Sequence, residues 1–163
     1  MSVPQQKPGR SKQDYSTPAD FIDAVKKRLR IHDFGWDLAA DELNTKSSYG
    51  YFNEAQNAIV QDWHNLNFML DSGWCWLNPP FAHIEPWVKK AWEESQKGAY
   101  IAMLIPAGVG ANWWRDWVHD KAHVLLLNGR LSFDGIAPYP KDCALLLYTP
   151  MIHGGYEVWT WRM

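Results

Sequence analysis

Four short, nearly unbroken apolar runs constrain this chain most: Gly73 to Leu77, Tyr100 to Ile105, Ala122 to Leu127 and Ala144 to Tyr148. Runs of that length suit strands covered on both faces. Between them, Ile84, Trp87, Val88, Ala91 and Trp92 recur at helical spacing before Gly98, and Asn112 to His119 reads as a second helix. Strands alternating with helices predict an α/β domain around a mainly parallel, twisted sheet. Leu131 to Phe133 and Glu157 to Trp161 read as further strands. The last two strands, joined through Pro150 and Gly154-Gly155, predict an antiparallel hairpin at the C-terminal edge of the sheet.

Upstream, Thr17-Pro18 opens a helix whose apolar positions Phe21, Ile22, Val25 and Leu29 carry it to about Leu29. Thr17 is placed to cap it, Pro18 suits its first turn, and Asp20 puts negative charge there. Asp33 to Ala39 reads as a strand, and Ser48 to Phe52 as a possible second one. Met1 to Asp14 is polar, with Pro4, Pro8 and Gly9 and no apolar segment of a signal peptide, so residues 1–14 are expected to be a mobile tail and 15–163 a single domain.

Of the 163 residues 47% are hydrophobic, enough for a real core. The 11 tryptophans are expected mainly in the core or at its rim. A formal net charge of −2 carries no global basic signature of a nucleic-acid binder. Cys75 and Cys143 both sit in apolar runs and read as buried thiols in a reducing cytoplasm. Nothing approaches the roughly 18 to 20 apolar residues of a membrane span.

Ligands of open α/β sheets bind outside the carboxyl ends of the strands, which directs attention to Asp37-Leu38-Ala39-Ala40, Asn78 to Phe81, and Pro106 to Gly110. Asn78-Pro79-Pro80-Phe81 is the most specific of these. Proline ends sheet pairing, so Asn78 is expected at a strand tip. Two successive prolines fix φ and make a rigid corner. From it the Asn78 side-chain oxygen and the Pro79 carbonyl can accept the two N–H groups of a conjugated amine. Such an amine is a poor nucleophile until its nitrogen is drawn toward tetrahedral geometry, and catalysis is then mainly positioning. Phe81 can stack on the ring that bears the amine. A base paired in a duplex must be flipped out to reach the corner. Adenine N6, cytosine N4 and a glutamine amide all satisfy this chemistry. The bland reading is a strand ending in a proline turn with a buried Phe.

The chain also resembles the phage-type DNA N6-adenine methyltransferases, a compact Dam-like family of amino-methyltransferases. The resemblance spans about residues 15 to 149 and rests on Ser16-Thr17-Pro18, Phe34 to Ala40, Tyr51-Phe52, Asn57-Ala58-Ile59 before Trp63, Asn78 to Phe81, Met103 to Ala107, and Gly129 to Phe133. It implies a Rossmann-like methyltransferase domain, S-adenosylmethionine as methyl donor, and adenine N6 of DNA as acceptor. It further implies a phage or prophage origin and a place in the cytoplasm of a bacterial host. By the same resemblance Ser16, Thr17, Pro18, Asp37, Leu38, Ala39 and Ala40 border the donor pocket. Asp37 would be the carboxylate nearest the methionine ammonium, and Asn57 a candidate for the adenine end of the donor. Asn78, Pro79, Pro80 and Phe81 would be the catalytic corner. The chain departs from familiar methyltransferases in lacking a Phe-x-Gly-x-Gly donor loop and a clear acidic residue after the second strand, where Glu54 and Asp62 stand nearby. The alternatives are an enzyme with the same corner acting on cytosine N4 or a protein glutamine, and a catalytically decayed DNA-binding or antirestriction protein.

Other signals carry less. Gly108-x-Gly110 lacks the third glycine of a dinucleotide fingerprint, position 113 being Trp. His119 and His123 have metal-ligand spacing without a third ligand and read as surface or cap residues, so no metal is expected. Trp113 and Trp117 read as core-facing at i, i+4, although with Trp114 and Arg115 they also fit an aromatic-basic nucleic-acid surface. Lys26, Lys27, Arg28 and Arg30 read as a solvated helix face.

Overall fold

The computed structural model describes residues 16–40, 45–66, 73–133 and 135–163; the expected N-terminal tail lies outside them. Helix α1 spans Ala19–Leu29 and buries Phe21, Ile22 and Val25, the face its spacing predicts. Its N-cap is Pro18, which has no side chain able to cap, and Thr17 makes no cap bond. The expected cap is therefore replaced by another use of the Thr17 hydroxyl. Arg30, with φ 57°, closes the helix with its N–H on the Lys26 and Lys27 carbonyls.

Strands β1 (Trp36–Asp37), β2 (Trp74–Leu77), β3 (Tyr100–Pro106), β4 (His123–Asn128), β5 (Cys143–Tyr148) and β6 (Tyr156–Thr160) form one sheet in the order β1-β2-β3-β5-β4-β6. Helices α2 (Glu85–Gln96) and α3 (Asn112–Trp117) connect β2 to β3 and β3 to β4. Pairing is parallel for β1–β2, β2–β3 and β4–β6, and antiparallel where β5 lies between β3 and β4. The edge hairpin expected from β5 and β6 does not form. The reason is in the side chains: Cys143–Tyr148 is apolar on both faces and nearly all buried, which suits the interior, while β6 alternates between exposed and half-buried, which suits an edge. The intervening 149–155 segment is long enough to carry β6 past β4.

Three expected strands shrink. Of Asp33 to Ala39 only Trp36–Asp37 pairs, Ser48 to Phe52 contributes a single parallel bridge between Tyr51 and Asp37, and Leu131 to Phe133 is irregular. These segments turn their backbone to side chains instead: Ser47 Oγ donates to the Phe34 carbonyl, and Asp33 accepts from the Ser48 N–H.

Two apolar cores flank the sheet. One lies under α2 and α3, around Trp63, Cys75, Leu77, Val88 and Trp114; the other lies under α1, around Phe21, Phe34, Trp76, Leu125 and Trp161. Trp63, Trp76, Trp114 and Trp161 are buried and the other tryptophans half-buried, as the composition predicts. In α3 and its C-cap the buried pair is Trp114 and Val118, so Trp113 and Trp117 flank the core instead of entering it. Both cysteines are free and buried. No helix among the described residues is long and apolar enough to cross a membrane.

Candidate active site

The connections of β1 mark a reversal in strand order. Asp37 N–H donates to the Gly50 carbonyl (3.0 Å) and Phe52 N–H to the Asp37 carbonyl (2.9 Å), whereas Leu38 N–H donates to the Trp76 carbonyl (2.9 Å). Alternate residues of a parallel strand bond to opposite sides, so the Tyr51 segment and β2 flank β1 on either side. The chain leaves β1 toward one side and returns on the other. That reversal is a topological switch point, and ligand crevices open outside the carboxyl ends of strands at such points.

Asp37 and Leu77 end β1 and β2, with Asp37 level with Trp76. Asn78 therefore follows directly at the strand tip, as expected. It is half-buried, and its Nδ2 donates to Thr17 Oγ1 at 3.0 Å. Thr17 is only 3% exposed. Pro79 is buried and Pro80 exposed, so the rigid corner has one proline in the core and one in solvent.

The donor-side candidates gather around the next loop. Asp37, 2% exposed, accepts the Lys46 N–H at Oδ2 (2.7 Å) and the Ala39 N–H at Oδ1 (3.3 Å). Lys46 Nζ donates to Ser16 Oγ at 3.2 Å. Burial pushes the Lys46 ammonium below its ordinary range; the Asp37 charge opposes that and Lys26 adds to it. Ser16, Thr17, Asp37, Ala39 and Asn78 are thus drawn into one neighbourhood, with Lys46 as a member that sequence reading did not single out. Leu38 and Ala40 are buried, with Leu38 packed in the core under α2, and Pro18 is half-buried at the start of α1. Asn57 stands apart: it is exposed, takes φ 50°, and precedes the 3-10 turn Ala58–Val60.

On the other side of the corner, Phe81 is half-buried between two aromatic edges. Its ring centroid lies 6.0 Å from that of Phe133 and 5.8 Å from that of Tyr139, and those two rings are 5.5 Å apart, all edge-on. Tyr139 lies in a Pro138-Tyr139-Pro140 loop that carries no helical or strand period, so no pattern signalled it. The loop after β3 is tied to the segment before β5, its Ala107 N–H bonded to the Asp142 carbonyl at 2.9 Å. Gly108 is explained there by packing: a Cβ would lie 2.8 Å from Trp113 Cζ2.

Elsewhere the chemistry is structural. His119 Nδ1 meets Tyr156 OH at 2.7 Å and His123 Nε2 meets Glu157 at 3.0 Å. Asp62, His64 and Glu94 bring ligand atoms within 4.8 Å of one another. Glu94 is fully buried, and desolvation works to raise its carboxyl. Hydrogen bonds from the Trp63 N–H, Lys90 and His64 nevertheless hold it below the usual carboxylate range. Its oxygens are engaged, with Lys90 at 3.0 Å and Lys97 at 3.8 Å, a poor setting for a cation. Burial first, then the Asp142 charge, pushes the Cys143 thiol up to about 12, which removes it as a nucleophile. Of the basic run, Lys26 pairs with Asp33, while Arg28 pairs with Glu157 and lies over Trp159.

Comparison with known proteins gives the family. Residues 5–143 match the family model described as DNA N-6-adenine-methyltransferase (Dam). The DNA N-6-adenine-methyltransferase of Escherichia phage T1 is 28% identical over 120 residues, which are 74% of this chain and 47% of that protein. The protein of the same description from Haemophilus phage HP1 (strain HP1c1) is 28% identical over 102 residues, 61% of this chain and 54% of its own length. The chain spans about half the length of these curated relatives. With the family match covering most of its residues, the chain belongs to the DNA N-6-adenine-methyltransferase (Dam) family.

Proposed function

We propose that this protein methylates N6 of adenine in DNA, with S-adenosylmethionine as donor and Asn78-Pro79-Pro80-Phe81 as the corner that receives the base. The observation that carries the reading is the position of Asn78 at the carboxyl end of β2, beside the β1 switch point and held by Thr17. The donor residues fit their group chemically: Asp37 is a buried carboxylate that accepts the Lys46 backbone N–H, and the Lys46 ammonium feels its charge, so both signs needed to meet an amino-acid zwitterion are present.

In this reading Asp37 and Lys46 hold the amino-acid end of the donor, with the Ser16 hydroxyl steadying Lys46. When bound, S-adenosylmethionine would supply an electrophilic methyl carbon on a sulfonium sulfur, leaving as the neutral thioether once the carbon is transferred, and the proton lost by the amine would pass to water. Asn78 Oδ1 and the Pro79 carbonyl accept the two N–H groups of the adenine amine and localise its lone pair. Phe81, braced by Phe133 and Tyr139, offers an aromatic surface to the flipped base. Phe133 and Tyr139 keep that ring from turning away. Positioning is the main contribution asked of these groups.

The test is incorporation of tritiated methyl groups from S-adenosylmethionine into unmethylated DNA, followed by nucleoside analysis. Label in N6-methyladenosine supports the reading. Label confined to N4-methylcytosine or to protein moves the acceptor, and donor binding without any transfer favours a decayed binding protein.

A further inference from the structure

We infer that Thr17 is a positioning residue for the acceptor side of the reaction, holding the Asn78 side chain in place at the strand tip through a buried hydrogen bond. This rests on the methyl-transfer reading above. It differs from the place that the family resemblance gives Thr17 on the border of the donor pocket.

An asparagine amide presents an acceptor at one end and two donors at the other, and its last torsion is broad and roughly two-fold. The amine to be methylated brings only N–H donors to the corner. It is therefore served by the amide oxygen and opposed by the amide nitrogen. A half turn of the Asn78 side chain would place donor against donor. Nδ2 donates to Thr17 Oγ1 at 3.0 Å, which leaves Oδ1 on the opposite arm of the amide; because a hydroxyl can also donate, what Thr17 fixes is the place of the side chain.

Thr17 has the properties such a partner needs. It is 3% exposed, so solvent competes little for its hydroxyl. It precedes a proline, which disfavours helical backbone at position 17. Pro18 occupies the N-cap without a side-chain bond, so capping the helix makes no claim on the Thr17 hydroxyl. Ser16, one residue earlier, accepts instead from Lys46 Nζ. Two neighbouring hydroxyls therefore serve opposite halves of the site, Ser16 the donor loop and Thr17 the acceptor corner.

The test compares wild type, Thr17→Val and Thr17→Ser in single-turnover methylation of DNA, with donor affinity measured by calorimetry on the same preparations. Valine keeps the shape and loses the acceptor; serine keeps the acceptor. Losing one buried hydrogen bond that orients a reacting group predicts a rate about tenfold lower for Thr17→Val. Donor Kd should stay within about twofold, since one bond's worth of binding would shift it tenfold. Thr17→Ser should recover most of the rate. The inference is overturned if Thr17→Val reacts at the wild-type rate, if its donor Kd weakens as much as its rate falls, or if serine behaves like valine. If wild type itself places no label on adenine, the methyl-transfer reading fails and this inference fails with it, an outcome distinct from the other three.

Discussion

Asp37 accepts the backbone N–H of Lys46 at 2.7 Å, tying the end of β1 to a loop nine residues further along the chain. The same carboxylate accepts the Ala39 N–H at 3.3 Å and is almost wholly buried. One side chain thus shapes the turn leaving β1 and carries a negative charge at the switch point. Asp37→Ala should weaken donor affinity about tenfold or more, the scale of a lost hydrogen bond to a charged group, while DNA affinity changes little. It should also destabilise the fold by about 1–3 kcal/mol, because two backbone donors lose an acceptor. Calorimetry with the donor and denaturant unfolding test both; equal donor affinity in mutant and wild type contradicts the assignment.

Lys46 gives the site a pH signature. Burial lowers its ammonium below the ordinary 10.5, against the pull of Asp37 and with the help of Lys26. The unfolded lysine keeps its proton up to 10.5. Between the lowered folded value and 10.5 the unfolded state therefore binds more protons, and this group makes stability rise with pH across that window. Below the window both states are charged and the burial penalty is fully present. Lys46→Met should remove this alkaline rise and weaken donor binding. Unfolding free energies across alkaline pH check it, and an identical slope in mutant and wild type contradicts it.

Gly50 is where the wall of β1 leaves no room. A Cβ there would lie 2.2 Å from Trp36 Cζ3, and the Trp36 ring packs on Phe52 at 5.3 Å. The Gly50 carbonyl also receives the Asp37 N–H. Gly50→Ala should therefore destabilise by about 1–3 kcal/mol through overpacking. Thermal unfolding reads this directly, and an unchanged Tm contradicts the close approach.

Much of this was legible in the sequence. The apolar runs became β2, β3, β4 and β5 within a residue or so, because a strand buried on both faces leaves a continuous signal. The place of β5 between β3 and β4 was not legible, since strand order follows from pairing across the sheet and not from local pattern. Asn78 fell at a strand tip because two prolines cannot continue a strand. Thr17 was read as a cap from its position before Pro18, and only the fold reveals that its hydroxyl meets Asn78 just past the end of β2. Lys46 and Tyr139 sit in irregular segments without period, so their approach to the site is set by tertiary contacts alone.

The central claim is that Asn78 acts on the amine of the base. It is tested most directly by the single-turnover rate of methyl transfer to adenine in DNA, compared between wild type and Asn78→Ala with both proteins saturated in donor. Because Asn78 is half-buried at a strand tip, the variant should keep its fold and its donor affinity. Its rate should fall at least about a hundredfold, the scale of removing a group that acts in the transition state. Methylation by Asn78→Ala at the wild-type rate would contradict the account.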